Sequence, residues 1–391
     1  MSSQRIYLDY AATTPVDPRV MESMQSFFMQ DFGNPSSLHH WGRQAERAVD
    51  MARKQVSNTL NCTPDEIIFT SCGSESDNLA LRGAAFASRQ QRGANRILTS
   101  PVEHPAILNT AQQLASDHNF QLEFLPIDEF GLIDPKTLEE RISNDVAVVS
   151  AIYANNEIGS INPIPALAQI CRAHHIPFHT DAVQAASQLP IDVDELGVDM
   201  MSLGAHKFYG PKGIGALYIR RGTPVIPMLT GGGQEYGLRA GTHNTPLIVG
   251  MAEALRITVA ERRTHNTRVL EFRRKIISRL LRAVPDAQLT GHPDQRLPNH
   301  ASFVFRSIRG NLLLEALDIE GYGCSSGSAC KTGDPEPSIV IQALGLEPDY
   351  ALGSLRITLG RGTQADHIDG LLETLPPIIH RLRATNSMDS R

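Results

Sequence analysis

The chain has 391 residues, enough for a large domain and a smaller one, and a formal net charge of −6 from 36 basic and 42 acidic residues. It has no basic run long enough for a nucleic-acid patch and no apolar stretch of the ~18 residues that a membrane span needs. Residues 1–5 are polar and lack the apolar core of an export signal, and five cysteines, an odd number, argue against a disulfide framework. We therefore expect a cytoplasmic enzyme that binds neither membrane nor nucleic acid directly.

Short apolar runs alternate with segments of helical periodicity through the first half of the chain. The predicted strands are residues 67–70, 96–100, 147–153, 176–179 and 200–203. The predicted helices between them include residues 77–89, 106–118 and 165–174. Strands that alternate with helices indicate a parallel sheet with crossover connections, so the pattern predicts an α/β fold.

Polar residues follow nearly every predicted strand. In sheets of this kind, ligands bind outside the carboxyl ends of the strands. The polar residues at those ends are Ser74, His104, Asn155, Asp181, Gln184, His206 and Lys207. We therefore expect these side chains to share one site.

Lys207 directly follows the predicted strand 200–203 and precedes a turn rich in glycine and proline. An amine is a useful nucleophile only when part of it is unprotonated, which partial burial near other positive charge achieves. This is where a pyridoxal phosphate (PLP) enzyme carries its Schiff-base lysine. A solvated lysine is the alternative, so the prediction depends on the neighbouring strand ends.

Four strand-end side chains have roles on the cofactor ring if the ligand is PLP. Asp181 pairs with the pyridine nitrogen and makes the ring an electron sink, while Gln184 and Asn155 reach the ring oxygen. His104 stacks on the ring face or transfers protons. The alternatives are that Asp181 is a turn residue and that His104, before Pro105, ends a loop.

Gly73 and Ser74 open a predicted helix directly after a strand. Free backbone N–H groups and the Ser74 hydroxyl would then face a phosphate. The alternative is that Ser74 caps the helix, with Asp77 completing a capping box.

Residues 321–337 are rich in glycine, serine and proline, which predicts an exposed, mobile loop. Cys330 lies in this loop, and Lys331 beside it favours the thiolate. The alternative is a buried apolar cysteine, against which the flanking Lys331 and Asp334 argue. We predict that Cys330 is a catalytic nucleophile.

The segment 171–179 holds one cysteine and three histidines and loosely resembles a metal site. Zinc ligands usually come as two spaced pairs, whereas this group spans a helix end and a strand. We predict no metal site.

These motifs together resemble the cysteine desulfurases of the IscS/NifS type, which are fold-type-I PLP enzymes. The matching segments are YLDYAATTP at 7–15, GNPSS at 33–37, ESDN at 75–78, EH at 103–104, NNEIG at 155–159, DAVQ at 181–184, HK at 206–207, GGGQE at 231–235, RAGT at 239–242, SSGSAC at 325–330 and LR at 355–356. They occur in order from about Tyr7 to about Thr374. The cysteine motif is the most specific of them.

The resemblance implies a large PLP-binding domain with a mainly parallel seven-stranded sheet, at residues 15–260. A smaller α/β domain would combine residues 1–14 with 261–391 and carry the Cys330 loop. The resemblance also implies that Thr242 reaches the phosphate of the neighbouring subunit, so the active form would be a homodimer. Arg356, Asn34 and Asn155 would bind the substrate.

The implied reaction is PLP-dependent removal of sulfur from L-cysteine. Lys207 or His104 would move protons, and Cys330 would take the sulfur as a persulfide and leave L-alanine. A protein acceptor, such as an iron–sulfur scaffold or a thiolation enzyme, would then receive the sulfur. The alternatives are a selenocysteine lyase or another PLP enzyme, and a weakly active sulfur-transfer scaffold subunit.

The chain departs from the family pattern at three positions. Gly204 stands where the family has a serine that helps to hold the phosphate, which bears on cofactor affinity. Cys72 is an added thiol near the phosphate. Cys324 stands where the family tends to have alanine; it is either a structural residue, or it accepts the persulfide from Cys330 or forms a disulfide with Cys330.

Overall fold

The computed structural model describes residues 5–326 and 337–389. The strands are β1 (Ile6–Tyr7), β2 (Ile67–Thr70), β3 (Arg96–Thr99), β4 (Gln121–Phe124), β5 (Val146–Ser150), β6 (Phe178–Asp181), β7 (Met200–Gly204), β8 (Gly215–Ile219), β9 (Ala287–Leu289), β10 (His300–Phe305), β11 (Tyr322–Gly323) and β12 (Ser354–Thr358). The helices are α1 (Pro18–Met24), α2 (Ser26–Met29), α3 (His40–Leu60), α4 (Gly73–Arg92), α5 (Pro105–His118), α6 (Pro135–Arg141), α7 (Ile164–Ala173), α8 (Val193–Leu196), α9 (Thr245–Ala283), α10 (Gly310–Ile319), α11 (Ile339–Ala343), α12 (Pro348–Ala351) and α13 (Ala365–Asp389).

The main sheet has seven strands in the described chain, in the order β2-β8-β7-β6-β5-β3-β4. Strands β3 to β7 pair in parallel, whereas β8 runs antiparallel to both β2 and β7. Strands β5, β6 and β7 are buried along their whole length, as expected for parallel strands covered on both faces. The predicted α/β fold with a mainly parallel seven-stranded sheet is confirmed.

The sheet brings the predicted strand ends to one edge because its central strands run in the same direction. Helix α4 begins three residues after β2, α5 begins at the residue after His104, and β7 leads directly into the turn that holds Lys207. Strand β6 ends two residues later than predicted, so that Asp181 is its last residue and pairs with Ser202 of β7. Asp181 is therefore held by the sheet and is not a turn residue.

A second apolar core lies around β10, β12 and the helices α10 and α13. Strand β10 pairs antiparallel with both β9 and β12, and Leu8 of the N-terminal segment packs into this core. The first core packs against the main sheet and includes Val149 and Phe178. The 39-residue helix α9 contributes to both cores, with Ile248 in the first and Ile276 in the second. The predicted domain boundary at residue 260 falls within this helix, and the division into domains stays a prediction.

The predicted loop 321–337 is only partly described. Tyr322 and Gly323 form β11, which pairs in parallel with β1, so the beginning of this segment is a strand and not a loop. At the other end, Ser338 caps α11. Cys330, Lys331 and Asp334 lie outside the described residues. Within the described chain, none of the helices combines the length and the apolar character of a membrane span.

Candidate active site

A cavity of about 270 Å³ lies at the carboxyl edge of the main sheet. The predicted site residues that line it are Gly73, Ser74, His104, Asp181, Gln184, His206, Lys207 and Arg356. They come from positions up to 283 residues apart in sequence, from Gly73 to Arg356, and the cavity also receives Ala11 and Ala12 of the N-terminal segment. The structure therefore brings together most of the side chains that the sequence analysis assigned to one site.

Lys207 lies in a short 3₁₀ turn directly after β7. Its Nζ donates hydrogen bonds to the carbonyl oxygens of Ala11 at 2.5 Å and Ala12 at 2.8 Å. Burial, and secondly the positive charge of Arg356, lower the pKa of Lys207 to about 8. A substantial fraction of the amine is thus unprotonated near neutral pH, which a nucleophilic lysine requires.

This pKa predicts how cofactor-free protein takes up PLP. Below pH 8 only the unprotonated fraction of Lys207 can attack the PLP aldehyde, so the rate of covalent uptake should rise about tenfold per pH unit. Above pH 8 the rate should level off. The rate can be followed from the absorbance of the bound cofactor after stopped-flow mixing. A rate that continues to rise up to pH 10, as for a solvated lysine, would contradict the assignment.

His104 and Asp181 lie close together in the cavity. Asp181 is 4% exposed, and its Oδ1 accepts a hydrogen bond from the backbone N–H of Val183 at 2.8 Å. His104 caps α5, and its Nδ1 accepts a hydrogen bond from the backbone N–H of Ala106 at 3.1 Å. Burial lowers the pKa of His104, so the neutral ring carries its proton on Nε2. His104 is therefore a helix cap that also faces the cavity, and it does not merely end a loop.

The N-terminus of α4 forms a close-fitting anion cradle. Cys72 is the N-cap but makes no capping hydrogen bond through its side chain, so the first N–H groups of the helix are not capped by it. The capping-box alternative for Ser74 and Asp77 is wrong, because Ser74 is the second residue of the helix. A Cβ at Gly73 would lie 2.7 Å from a methyl group of Val183, so glycine is required for this close approach. The residues present thus fit a bound phosphate.

Gly204 lies beside this cradle. A Cβ added at Gly204 would meet Val183 at 3.4 Å and the Gly73 backbone nitrogen at 3.6 Å, which are ordinary contact distances. The position therefore has room for the serine of the family pattern, and the phosphate would lack one hydroxyl in this chain.

The N-terminal segment forms one wall of the cavity through hydrogen bonds. Gln184 donates from Nε2 to the Ala11 carbonyl oxygen at 2.7 Å, the same oxygen that Lys207 contacts. Nδ1 of His206 lies 3.1 Å from the Thr13 hydroxyl, and burial lowers the pKa of His206 to about 4. His206 is thus neutral at physiological pH.

Arg356 enters the cavity from β12 of the second core. Its Nη2 donates to Oδ1 of Asp9 at 2.9 Å, and its Nη1 donates to the Asn156 carbonyl oxygen at 3.0 Å. The buried Nε has no hydrogen-bond partner in the described part of the chain. A buried guanidinium with an unused N–H group is suited to a carboxylate ligand.

Three predicted residues do not line the cavity. Asn155 is buried, and its side chain bonds to the backbone of Val102, Glu157 and Ile158, whereas the next residue, Asn156, lines the cavity. Asn34 is exposed, and Oδ1 accepts from the backbone of Ser36. Thr242 is also exposed. The roles of Asn34, Asn155 and Thr242 stay predictions.

The described cysteines differ in their surroundings. Cys72 lines the cavity next to the phosphate cradle. Cys324 follows β11, and burial together with nearby Asp9 raises the pKa of its thiol to about 12. A thiol that stays protonated at neutral pH is a poor nucleophile, which favours the structural role for Cys324.

Asp77 lines the cavity, and Nε2 of His179 lies 3.7 Å from Oδ1 of Asp77; both are buried polar residues to which the sequence analysis gave no role in the site. Asp77, His104 and Asp181 have ligand atoms within 4.8 Å of one another, and no residue of the segment 171–179 belongs to this described group. His179 contacts the hydroxyls of Ser150 and Ser202 from inside the sheet. His179 lies two residues before Asp181 on β6, and alternate residues of a strand share a face. This spacing was the signal in the sequence that could have placed His179 near the site.

The fold, the phosphate cradle and the buried lysine–aspartate–histidine arrangement define a PLP-dependent enzyme of fold type I. The chain matches the aminotransferase class-V family over residues 6–371 and belongs to that family. Members of this family use PLP as cofactor.

Individual relatives narrow the comparison. "Cysteine desulfurase IscS" of Dictyoglomus turgidum is 43% identical over 380 residues, covering 97% of this chain and 96% of the relative. A solved "NifS-like protein" superposes with a TM-score of 0.90 at 36% identity, over 97% of this chain and 100% of its own. The solved structure "SspA in complex with cysteine" has a TM-score of 0.77 at 37% identity, over 90% and 98% of the two chains. The predicted resemblance to the IscS/NifS cysteine desulfurases is confirmed.

Proposed function

We propose that this protein is a cysteine desulfurase, which converts L-cysteine and the Cys330 thiol into L-alanine and a Cys330 persulfide. The observation that carries the proposal is the shared cavity of Lys207, Asp181, His104 and Arg356 in a chain that resembles named cysteine desulfurases over nearly its whole length. The SSGSAC motif at 325–330 distinguishes this activity from simple transamination, which has no need of a thiol.

PLP supplies an electron sink that stabilises negative charge at the carbon atoms of a bound amino acid. Asp181 would pair with the ring nitrogen, Gln184 would donate to the ring oxygen, and His104 would pack against the ring. Gly73 and Ser74 would hold the phosphate at the N-terminus of α4.

The remaining roles concern the substrate and its protons. Arg356 binds the cysteine carboxylate with its free N–H groups. Lys207, with its lowered pKa, takes and returns protons at Nζ, and the neutral His104 offers a second proton donor at Nε2. Cys330 forms a sulfur–sulfur bond with the substrate as its carbon–sulfur bond breaks, and a proton completes the methyl group of alanine.

The test is to incubate the PLP-loaded enzyme with L-cysteine and a small reductant and to quantify alanine and sulfide. Equal amounts of both, over many turnovers, are expected. L-Selenocysteine and an amino acid with a keto-acid acceptor are the comparison substrates. Exclusive turnover of selenocysteine, or keto-acid-dependent transamination without sulfide, would replace the proposal with the corresponding activity.

The active form is a homodimer. Helices α1 to α3 and their connections present large apolar side chains to solvent, of which Leu38 is 89% and Met29 73% exposed. Several large exposed apolar side chains in one region of the chain are suited to a protein interface. Thr242 is exposed and does not line the cavity of its own chain, as expected for a residue that serves the neighbouring subunit.

The persulfide passes to a protein acceptor, either an iron–sulfur scaffold or a thiolation enzyme. Cys62, Cys72, Cys171 and Cys324 are all unpaired thiols. Unpaired cysteines are typical of a reducing compartment, which supports a cytoplasmic location.

Arg356→Lys should raise the KM for L-cysteine by about 10- to 100-fold, because lysine keeps the charge but loses the planar fork worth ~1.5–3 kcal/mol. PLP content should stay near that of the wild type, since the cradle and Asp181 are unchanged. Steady-state kinetics with the purified variant measure both quantities. An unchanged KM would remove Arg356 from the substrate site.

Gly204→Ser should lower the Kd of PLP about three- to tenfold by adding one hydroxyl beside the phosphate cradle. Gly204→Ala is the matched control, because it adds the same Cβ without the hydroxyl and should leave the Kd unchanged. Titration of cofactor-free protein with PLP provides the measurement. Equal Kd values for the serine and alanine variants would mean that position 204 does not face the phosphate.

A further inference from the structure

Asp9 is a charged residue of the cavity region to which the proposed reaction assigns no role. Its Oδ1 lies 2.9 Å from Nη2 of Arg356, and the side chains of Asp9 and Arg356 are only 18% and 8% exposed. An ion pair with so little solvent contact is screened weakly, so it constrains the guanidinium more than a surface pair would.

The backbone of Asp9 is itself fixed from several directions. Leu8 donates to the Gly323 carbonyl oxygen at 2.8 Å and its own carbonyl accepts from Thr358 at 2.8 Å, which ties the segment to β11 and β12. The Asp9 carbonyl oxygen accepts from the Tyr7 hydroxyl at 2.9 Å and from the Ala12 N–H at 3.0 Å. The carboxylate is therefore presented to Arg356 from a backbone segment that is hydrogen-bonded on both sides of Asp9.

The contacts of Arg356 determine which of its N–H groups remain for a ligand. Asp9 takes one hydrogen of Nη2, and the Asn156 carbonyl takes one of Nη1 at 3.0 Å. The buried Nε has no partner among the described residues. Because the guanidinium is planar, fixing its two Nη atoms also fixes the direction of the Nε–H bond.

The same N-terminal segment reaches Lys207. Nζ of Lys207 contacts the carbonyl oxygens of Ala11 and Ala12, two and three residues after Asp9. Burial and then the positive charge of Arg356 lower the pKa of Lys207, while the negative charges of Asp181 and, to a smaller extent, Asp9 raise it. Asp9 thus lies where it acts on the carboxylate-binding group and on the amine at once.

We propose that Asp9 is a positioning residue: it orients Arg356 for the carboxylate of an α-amino acid substrate, and its charge offsets that of Arg356 at Lys207. This inference depends on the proposed role of Arg356 in substrate binding. The effect of the Asp9 charge on Lys207 changes PLP uptake, which can be measured without any substrate.

Other titratable groups face this pair and stay unchanged in the test. Glu157 and His300 lie near Arg356, while Tyr7 and Cys324 lie near both members of the pair. Burial raises the pKa of Tyr7 to about 12 and that of Cys324 to about 12, so both are neutral at physiological pH. Burial keeps the pKa of His300 well below its usual value, so it is also neutral.

The first measurement is the pH dependence of PLP uptake by cofactor-free Asp9→Asn protein. The amide keeps the shape and an acceptor for Arg356 but removes the charge. The pH at which the uptake rate is half-maximal should fall below that of the wild type, because the protonated form of Lys207 loses a nearby anion. A purely structural role for Asp9 would leave the midpoint unchanged.

The second measurement is a double-mutant cycle between Asp9→Ala and Arg356→Lys in the PLP-loaded enzyme. Asp9→Ala alone should raise the KM for L-cysteine about tenfold, with kcat and PLP content near wild type. In the Arg356→Lys background the same substitution should change KM less than about threefold, because the fork that Asp9 orients is gone.

Asp17→Asn is the matched control. Asp17 also belongs to the N-terminal region and pairs with a late arginine, Arg361, at 2.6 Å, but Arg361, unlike Arg356, does not line the cavity. This variant should lose thermal stability without a change in KM or in the uptake midpoint.

Any of three results would overturn the proposal. The first is an unchanged KM in Asp9→Ala, and the second is an equal effect of Asp9→Ala on KM with Arg356 and with Lys at position 356. The third is a pH midpoint of PLP uptake in Asp9→Asn equal to that of the wild type. If L-cysteine proves not to be the substrate, the pH midpoint of PLP uptake still tests whether the charge of Asp9 acts on Lys207. If Asp9→Ala does not fold, the Asp9→Asn midpoint decides it as well.

Discussion

Lys207→Ala is expected to abolish L-cysteine turnover and covalent retention of PLP. The variant loses the amine that attacks the PLP aldehyde and the base that moves protons at the substrate. General acid–base catalysis alone contributes about 10²–10⁴-fold, so the combined loss should bring the rate to background. Alanine production and borohydride-reducible cofactor are the two measurements.

The fold should survive this substitution. Among the described residues, the Lys207 side chain bonds only to the carbonyl oxygens of Ala11 and Ala12. The pairing of β6 with β7 is between backbone groups and does not involve this side chain. Lys212→Ala, a lysine five residues later in the same turn region, is the control and should retain activity. A Lys207→Ala protein that still forms a reducible PLP adduct at full activity would contradict the assignment.

Cys330→Ser is expected to separate cofactor chemistry from sulfur removal. The variant should bind PLP with normal affinity and show the wild-type spectral change when L-cysteine is added, because those steps use Lys207, Asp181 and Arg356. Alanine production should fall by about 10⁴-fold or more, since a hydroxyl at neutral pH is a poor sulfur acceptor. Absorbance spectra and amino-acid analysis on the same sample provide the comparison.

Cys324→Ala serves as the control for the second thiol of this region. If Cys324 is structural, as its raised pKa favours, the variant should form the persulfide and alanine at the wild-type rate. If it relays sulfur, transfer to an acceptor should slow while alanine release with a small reductant stays normal. Loss of alanine production in Cys324→Ala, with Cys330→Ser still active, would reverse the two assignments.

The sequence predicted the central sheet well because buried parallel strands leave a strong local signal. The strands β2, β3 and β7 lie where apolar runs end in polar residues. The edge strand β4 and the antiparallel strand β8 were not predicted. Strand β4 has only four residues and none of them is buried, so it lacks the apolar run that marks the central strands. The position of β8 between β2 and β7 depends on contacts between distant parts of the chain, which a local sequence pattern does not reveal.

Site residues could be predicted where the local pattern of strands and helices places them at a strand end or a helix cap. Lys207, His104 and Asp181 lie at strand ends or helix caps, so periodicity alone assigned them to one edge of the sheet. Asp9 and Asp77 escaped prediction because their importance arises from contacts with residues distant in sequence. Asn155 shows the opposite case: its amide was expected in the cavity, but it donates to the Val102 carbonyl oxygen and accepts from the Glu157 N–H of its own turn.

The persulfide on Cys330 is the most direct test of the account. PLP-loaded enzyme is mixed with one equivalent of L-cysteine without reductant, quenched with an alkylating agent, digested and examined by mass spectrometry, while alanine is quantified in the same sample. We predict one additional sulfur atom on the peptide that holds Cys330, in a yield equal to that of alanine. Alanine formation with the extra sulfur on Cys324, Cys72 or Cys62, and Cys330 unmodified at every time point, would contradict it.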